Sequence, residues 1–211
     1  MNFTIYFVSL NEAWIEYIKI YFKNVDCKII NDNIQNIDTK NTIFVSPANS
    51  LGFMDGGIDR IYNEIIFPEC RVQLQNILET LPYRTFLGRP YLPVGSAVIV
   101  NREKEESGII FAPTMFKPSD VSKTQNAYNS FLAALYLMKK YNLKIKIPFS
   151  RLVVTSHCCG YGMMDEEESV KQMYTAYCDF NNDSMPDIIY SENLSDRILL
   201  PLVDDENPFT Y

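Results

Sequence analysis

Val45-Ser-Pro-Ala-Asn-Ser-Leu-Gly-Phe-Met-Asp-Gly-Gly-Ile-Asp59 is the stretch on which the fold turns. A β-rich run, Thr42–Val45, stops at Ser46-Pro47. A loop carrying Gly52, Gly56 and Gly57 follows, and Ile58–Phe67 then has the apolar spacing of a helix. Strand, glycine loop and helix in that order aim free N–H groups and a helix start at one point, where an anion can sit. Gly56-Gly57 lets the backbone approach a ligand closely. The same glycines also suit an ordinary βα turn that needs φ > 0. Asn49, at the strand end, is placed to hydrogen-bond a ribose hydroxyl. Asp59, one turn into the helix, is placed to accept from a sugar or to orient a water.

A second stretch repeats the pattern: Val153-Val-Thr-Ser-His-Cys-Cys-Gly-Tyr-Gly-Met-Met164. Arg151–Ser156 reads as a buried strand, His157–Met164 as a loop, and Asp165–Glu168 opens a helix running to about Tyr177. The acidic opening suits the positive end of the helix dipole. Two such loops at strand carboxyl ends fit a diphosphate bridging two riboses. Neither loop is a Walker A element, because no Gly-Lys-Ser/Thr follows, and neither is a Gly-x-Gly-x-x-Gly fingerprint. From the residues alone the reading reaches a phosphate-bearing nucleotide ligand and stops.

Strand and helix patterns alternate through the rest of the chain. Phe3–Ser9, Lys28–Ile30, Val94–Val100 and Ile109–Ala112 read as strands. Asn11–Phe22, Glu69–Leu81 and Asn126–Tyr141 read as helices, with Pro68 breaking the run before the second of them. Asn101–Ser107 reads as a charged turn, and Ile198–Val203 as a late strand. This alternation implies an α/β fold with a mixed sheet between helical layers.

Composition narrows the partners. The 211 residues fit one domain, with 47% hydrophobic and 21% charged residues. A net charge of -7 argues against a basic field for nucleic acid or an anionic membrane. Main-chain N–H groups still bind phosphate without Lys or Arg. The five cysteines are odd in number and form no C-x-x-C, so a disulfide framework is not expected and a reducing, intracellular (cytoplasmic or nuclear) setting is. The first residues lack the basic and small-residue pattern of a secretory leader, and no apolar run approaches the ~20 residues of a membrane span.

The quoted residues resemble those of macro domains. Ser46-Pro-Ala-Asn through Gly56-Gly-Ile-Asp59 is similar to that family's Asn-Ala-Ala-Asn…Gly-Gly-Gly-Val-Asp segment. Pro68-Glu69 and Leu92-Pro-Val-Gly-Ser-Ala-Val98 resemble its next helix junction and Gly-x-Ala strand. His157-Cys-Cys-Gly-Tyr-Gly-Met163 resembles its Gly-Thr-Gly-x-Gly-Gly-Met phosphate loop. The resemblance covers residues 1–180 and leaves 181–211 as a C-terminal extension expected to lie on the same domain. It implies a three-layer α/β/α macro-domain fold with a central mixed sheet that binds ADP-ribose, free or protein-linked.

By that resemblance the first loop (Asn49, Ser50, Gly52, Gly56, Gly57, Ile58) wraps the distal ribose. The second (Ser156, His157, Cys158, Cys159, Gly160, Tyr161, Gly162) clasps the diphosphate, and Asp32, Asn33 and Ile34 stand at the adenine end. Asn49 and Asp59 match residues that catalytic members use to remove ADP-ribose. Ser46, Asn63 and His157-Cys158-Cys159 depart from the family pattern and favour binding over hydrolysis. The alternatives are a non-catalytic sequestering or reader module and an ADP-ribose 1''-phosphate phosphatase.

No cofactor is expected. No metal is either, because the His157-Cys158-Cys159 cluster lacks the partners zinc needs. His157 is the single histidine, so a Cys-His or Ser-His dyad would have to use it. Tyr161 either covers the distal ribose or lies on the surface, and Phe53 and Met54 either close over the ligand or anchor the loop.

Overall fold

The computed structural model describes residues 2–102, 107–182 and 197–200. Its elements are β1 (Thr4–Val8), α1 (Glu12–Tyr21), β2 (Cys27–Ile30), β3 (Thr42–Ser46), α2 (Gly57–Ile61), α3 (Cys70–Thr80), β4 (Ala97–Arg102), β5 (Ser107–Phe111), α4 (Asn126–Asn142), β6 (Arg151–Val154), α5 (Glu166–Asn181) and β7 (Ile198–Leu199). The sheet has the order β2-β1-β6-β3-β5-β4-β7. β2, β1, β6, β3 and β5 run parallel, whereas β4 and β7 run antiparallel to their neighbours. The expected mixed sheet is therefore present.

Alternation along the strands sorts the core onto two faces. Ile5, Phe7, Ile43, Val45, Ile110, Leu152 and Val154 pack with residues of α1, α4 and α5. Val8, Phe44, Ile109, Phe111 and Val153 pack on the other side with Tyr62 and α3. Central strands are covered on both faces, which is why they read as continuous apolar runs. Three layers, helices–sheet–helices, follow. No helix among the described residues is long and apolar enough to cross a membrane.

Local chemistry explains the boundaries. Asn11 caps α1 by accepting from Trp14 N–H at 3.1 Å, and its Nδ2 donates to Glu166 at 2.9 Å, tying the starts of α1 and α5 together. Asp165 caps α5 by accepting from Glu167 and Glu168 N–H. Three sequence expectations are corrected. Ile58–Phe67 is not one α-helix, because α2 passes after Ile61 into a single π-turn, Tyr62–Ile66, closed by Phe67 N–H to Tyr62 C=O at 2.7 Å. Pro68 disfavours the helical conformation at Phe67, whose φ of -146° ends the run. The expected turn Asn101–Ser107 is corrected at its ends, since Asn101 pairs with Gly108 and Arg102 with Ser107 in the β4–β5 ladder, and 103–106 lie outside the described residues. β4 starts only at Ala97 because Pro93–Ser96 form a turn closed by Ser96 N–H to Pro93 C=O.

Of the C-terminal extension, Ile198–Leu199 pairs with β4, and Ile198, Leu199 and Leu200 are buried. The remainder of the 198–203 run, and most of 181–211, lie outside the described residues.

Phe7 is fully buried, with its ring 4.6 Å from Phe22 and 6.0 Å from Trp14. Phe7→Ala is expected to lower unfolding stability by about 3–5 kcal/mol, read by urea denaturation.

Candidate functional site

Five parallel strands deliver their carboxyl ends to one edge of the sheet, and a cleft of about 470 Å³ opens there. Such an edge is the usual ligand position in open α/β sheets. Segments following β1, β2, β3, β5 and β6 line it, including Ser9, Asp32, Asn49, Thr114 and Thr155. No Lys or Arg is among the lining residues. An anion bound here would therefore have to be held by the main chain.

The two glycine loops face each other across this cleft. Gly56, Gly57 and Ile58 line it from one side, and Ser156, Cys158, Gly160, Tyr161 and Gly162 from the other. A β-carbon on Gly56 would lie 3.6 Å from the Tyr161 ring, so a side chain added there would reach the opposite loop. The N–H groups of Gly56 and Gly57, and of Gly160 through Gly162, donate to no acceptor among the described residues. These are two amide cradles around one hollow. Tyr161 is 70% exposed and roofs it.

The first loop is held from within. Asn49 is buried; its Oδ1 accepts from Leu51 N–H at 3.1 Å and Phe53 N–H at 3.2 Å, and its Nδ2 donates to Phe53 C=O at 3.0 Å. The amide is thus largely engaged by its own loop. Gln75 of α3 donates to Leu51 and Gly52 C=O, both at 3.1 Å. The apolar pair divides: Met54 is buried in the core and anchors the loop, whereas Phe53 lines the cleft with the Arg89 guanidinium 4.5 Å above its ring.

The second loop is reshaped relative to the expectation. The His157 side chain turns inward, fully buried, with Nδ1 2.8 Å from Thr155 C=O and its ring beside Phe131. Burial pushes its pKa down to about 4, so it is neutral. Cys158 and Met163 hold left-handed backbone, φ 64° and 55°, which non-glycine residues adopt at a cost. Burial raises the Cys158 thiol to about 12 and the Cys159 thiol to about 11. Neither is a thiolate at neutral pH, so neither is an activated nucleophile. All five cysteines are free. Asp165 takes the first N–H groups of α5, so a ligand would meet the loop rather than the helix end.

Of the residues expected at the ligand, Asp32, Asn33, Ile34, Asn49, Gly56, Gly57, Ile58, Asp59, Ser156, Cys158, Gly160, Tyr161 and Gly162 line the cleft. Ser50, Gly52, His157 and Cys159 do not. Ser50 and Gly52 pack beneath the loop toward α3, and Cys159 Sγ donates to His157 C=O at 3.2 Å. At the end expected to take adenine, Asp32 Oδ1 accepts from Asn33 N–H and from Asn36, and Asn33 caps the short 3-10 turn Ile34–Asn36. Sequence reasoning missed Ser9, Leu10, Asp55 and Thr155. The rule that parallel strands present their carboxyl ends would have found Ser9, Leu10 and Thr155.

No family model matches the sequence. A protein of Aquifex aeolicus (strain VF5), described as uncharacterized, is 31% identical over 122 residues; the match spans 57% of this chain and 66% of that relative. The macrodomain of Mycobacterium tuberculosis DarG superposes with a TM-score of 0.54 at 17% identity, over 70% of this chain and 87% of that one. The chain has the macrodomain fold. Thermosipho africanus DarTG in complex with ADP-ribose aligns at a TM-score of 0.49 and 17% identity; the alignment takes in 83% of this chain and about half (49%) of that one. In this macrodomain fold the two glycine loops sit at the carboxyl ends of β3 and β6.

Asp59 is a cleft group with a strongly displaced titration. Burial raises its carboxyl to about 7, a nearby Asp55 pushes the same way, and a hydrogen bond from Ser46 opposes both. A folded-state value above the unfolded one means the folded protein holds the extra proton. Stability from this group is therefore full at acid pH and is lost as pH rises toward and through about 7. Asp59→Asn is expected to flatten that slope and to stabilise the protein at pH 8 by ~1–2 kcal/mol, measured by urea denaturation across pH 5 to 8. Gly162 is a second checkpoint. A β-carbon there would clash with the Cys158 carbonyl oxygen and sit 2.8 Å from Val121. Gly162→Ala is expected to cost about 1–3 kcal/mol and to disrupt the second cradle, read by denaturation alongside ligand titration.

Proposed function

We propose that this protein binds ADP-ribose, free or carried on a protein, in the cleft at the sheet's carboxyl edge. The observation that carries the reading is the pair of amide cradles, Gly56–Gly57 and Gly160–Gly162, with unpartnered N–H groups in segments that line one hollow. The macrodomain fold and the motif resemblance support the choice of nucleotide. The second cradle takes the diphosphate. The first loop, with Asp59, takes the distal ribose, and Asp32, Asn33 and Ile34 take the adenine. Calorimetry tests this. ADP-ribose is expected to bind at least about tenfold more tightly than AMP or NAD. Equal, weak heats for all three would remove the assignment.

A second reading, removal of ADP-ribose from modified protein, is favoured by Asp59 alone. A general base works best with a pKa near the working pH, and this carboxyl stands at about 7. In that reaction the ionised carboxylate takes a proton from a water that attacks the anomeric carbon of the distal ribose, and the linkage to the target breaks. Release of label from mono-ADP-ribosylated protein is expected to rise with pH through about 7 and to fall at least about a hundredfold in Asp59→Ala, with ADP-ribose affinity much less affected. A preparation that binds ADP-ribose yet releases nothing is a binding module.

A further inference from the structure

A carboxylate serves a ligand best when one chosen oxygen faces it in a fixed direction. Ser46 closes β3, is fully buried, and is held in register opposite Phe111 of β5. Its Oγ donates to Asp59 Oδ1 at 2.5 Å, bridging the strand end to the first turn of α2. This is a short, charge-assisted type of contact. Asp59 Oδ2 has no partner among the described residues, and Asp59 lines the cleft. We propose that Ser46 is the positioning residue for Asp59: its hydroxyl locks Oδ1 so that Oδ2 is presented to the cleft as the acceptor for a sugar hydroxyl of the ligand.

The surroundings make this hydroxyl matter. Facing Asp59 are Asp55 from the first loop, Tyr62 from its own helical run and Cys70 from α3. None of them is cationic. Tyr62, itself raised by burial, donates to Val45 C=O at 3.1 Å rather than to Asp59. The Ser46 hydroxyl is therefore the group that favours the ionised carboxyl against burial and against Asp55. A buried Ser in place of the family's first Asn acquires a defined task. The identity of the ligand rests on the ADP-ribose reading, whereas the Ser46–Asp59 pair does not.

Two measurements decide it. Carbon NMR of the Asp59 carboxyl in the free protein is expected to titrate near 7, to move upward in Ser46→Ala, and to fall between in Ser46→Cys, a near-isostere with a weaker donor. Calorimetry is expected to show Ser46→Ala weakening ADP-ribose ~3–10-fold while leaving ADP, which lacks the distal ribose, unchanged. Adding Ser46→Ala to Asp59→Ala is expected to change nothing further. An unmoved midpoint overturns the proposal, as does an equal loss for ADP and ADP-ribose, or a loss that persists without Asp59. If the wild-type protein binds neither nucleotide, the ADP-ribose reading fails by itself, and the carboxyl titration still decides the role of Ser46.

Discussion

Main-chain N–H groups that leave a parallel sheet at its carboxyl edge lose their ladder partners and have to find others. The candidate site of this protein follows from where those groups go. Five parallel strands bring their exits to one edge, and the segments after β3 and β6 turn toward each other there. In most of the fold the freed groups are claimed at once, as Asp165 claims the start of α5 and Asn11 that of α1. In the two glycine loops they have no partner among the described residues, and the loops line a common hollow. That gap in hydrogen bonding marks the candidate site.

Keeping such a gap open requires rigid surroundings. Asn49 folds the first loop around its own amide with three hydrogen bonds, and Gln75 ties the loop to α3. The resemblance assigned Asn49 to the ribose, but the geometry gives it a prior duty as a clasp. In the second loop His157 replaces a usual glycine by sending its ring into the core beside Phe131, where it is neutral. Cys158 and Met163 accept left-handed backbone in a segment where glycines are usual. The loop reaches the cleft with different residues, at some conformational cost.

The electrostatics are unusual for an anion site. The lining holds Asp32, Asp55 and Asp59 and no Lys or Arg, on a chain of net charge -7. A diphosphate bound here would gain nothing from long-range attraction and would depend on short-range amide geometry. Burial helps by keeping the Asp59 carboxyl neutral up to about pH 7. One of the three repulsive charges is thereby absent under mildly acid conditions.

Read alone, the sequence determined the order of strands and helices, the two glycine loops and the family they resemble, because periodicity and turn chemistry are local. It also placed Asn11 at the head of α1 and the acidic run at the head of α5. Only tertiary structure decided that residues about a hundred positions apart, Gly56 and Tyr161, line one cleft. The same holds for Ser46, whose hydroxyl meets Asp59 across thirteen positions, and for His157, whose ring faces the core. Side-chain direction at a loop depends on which neighbour has room or a free acceptor. That information belongs to the packed layers and not to any stretch of the chain.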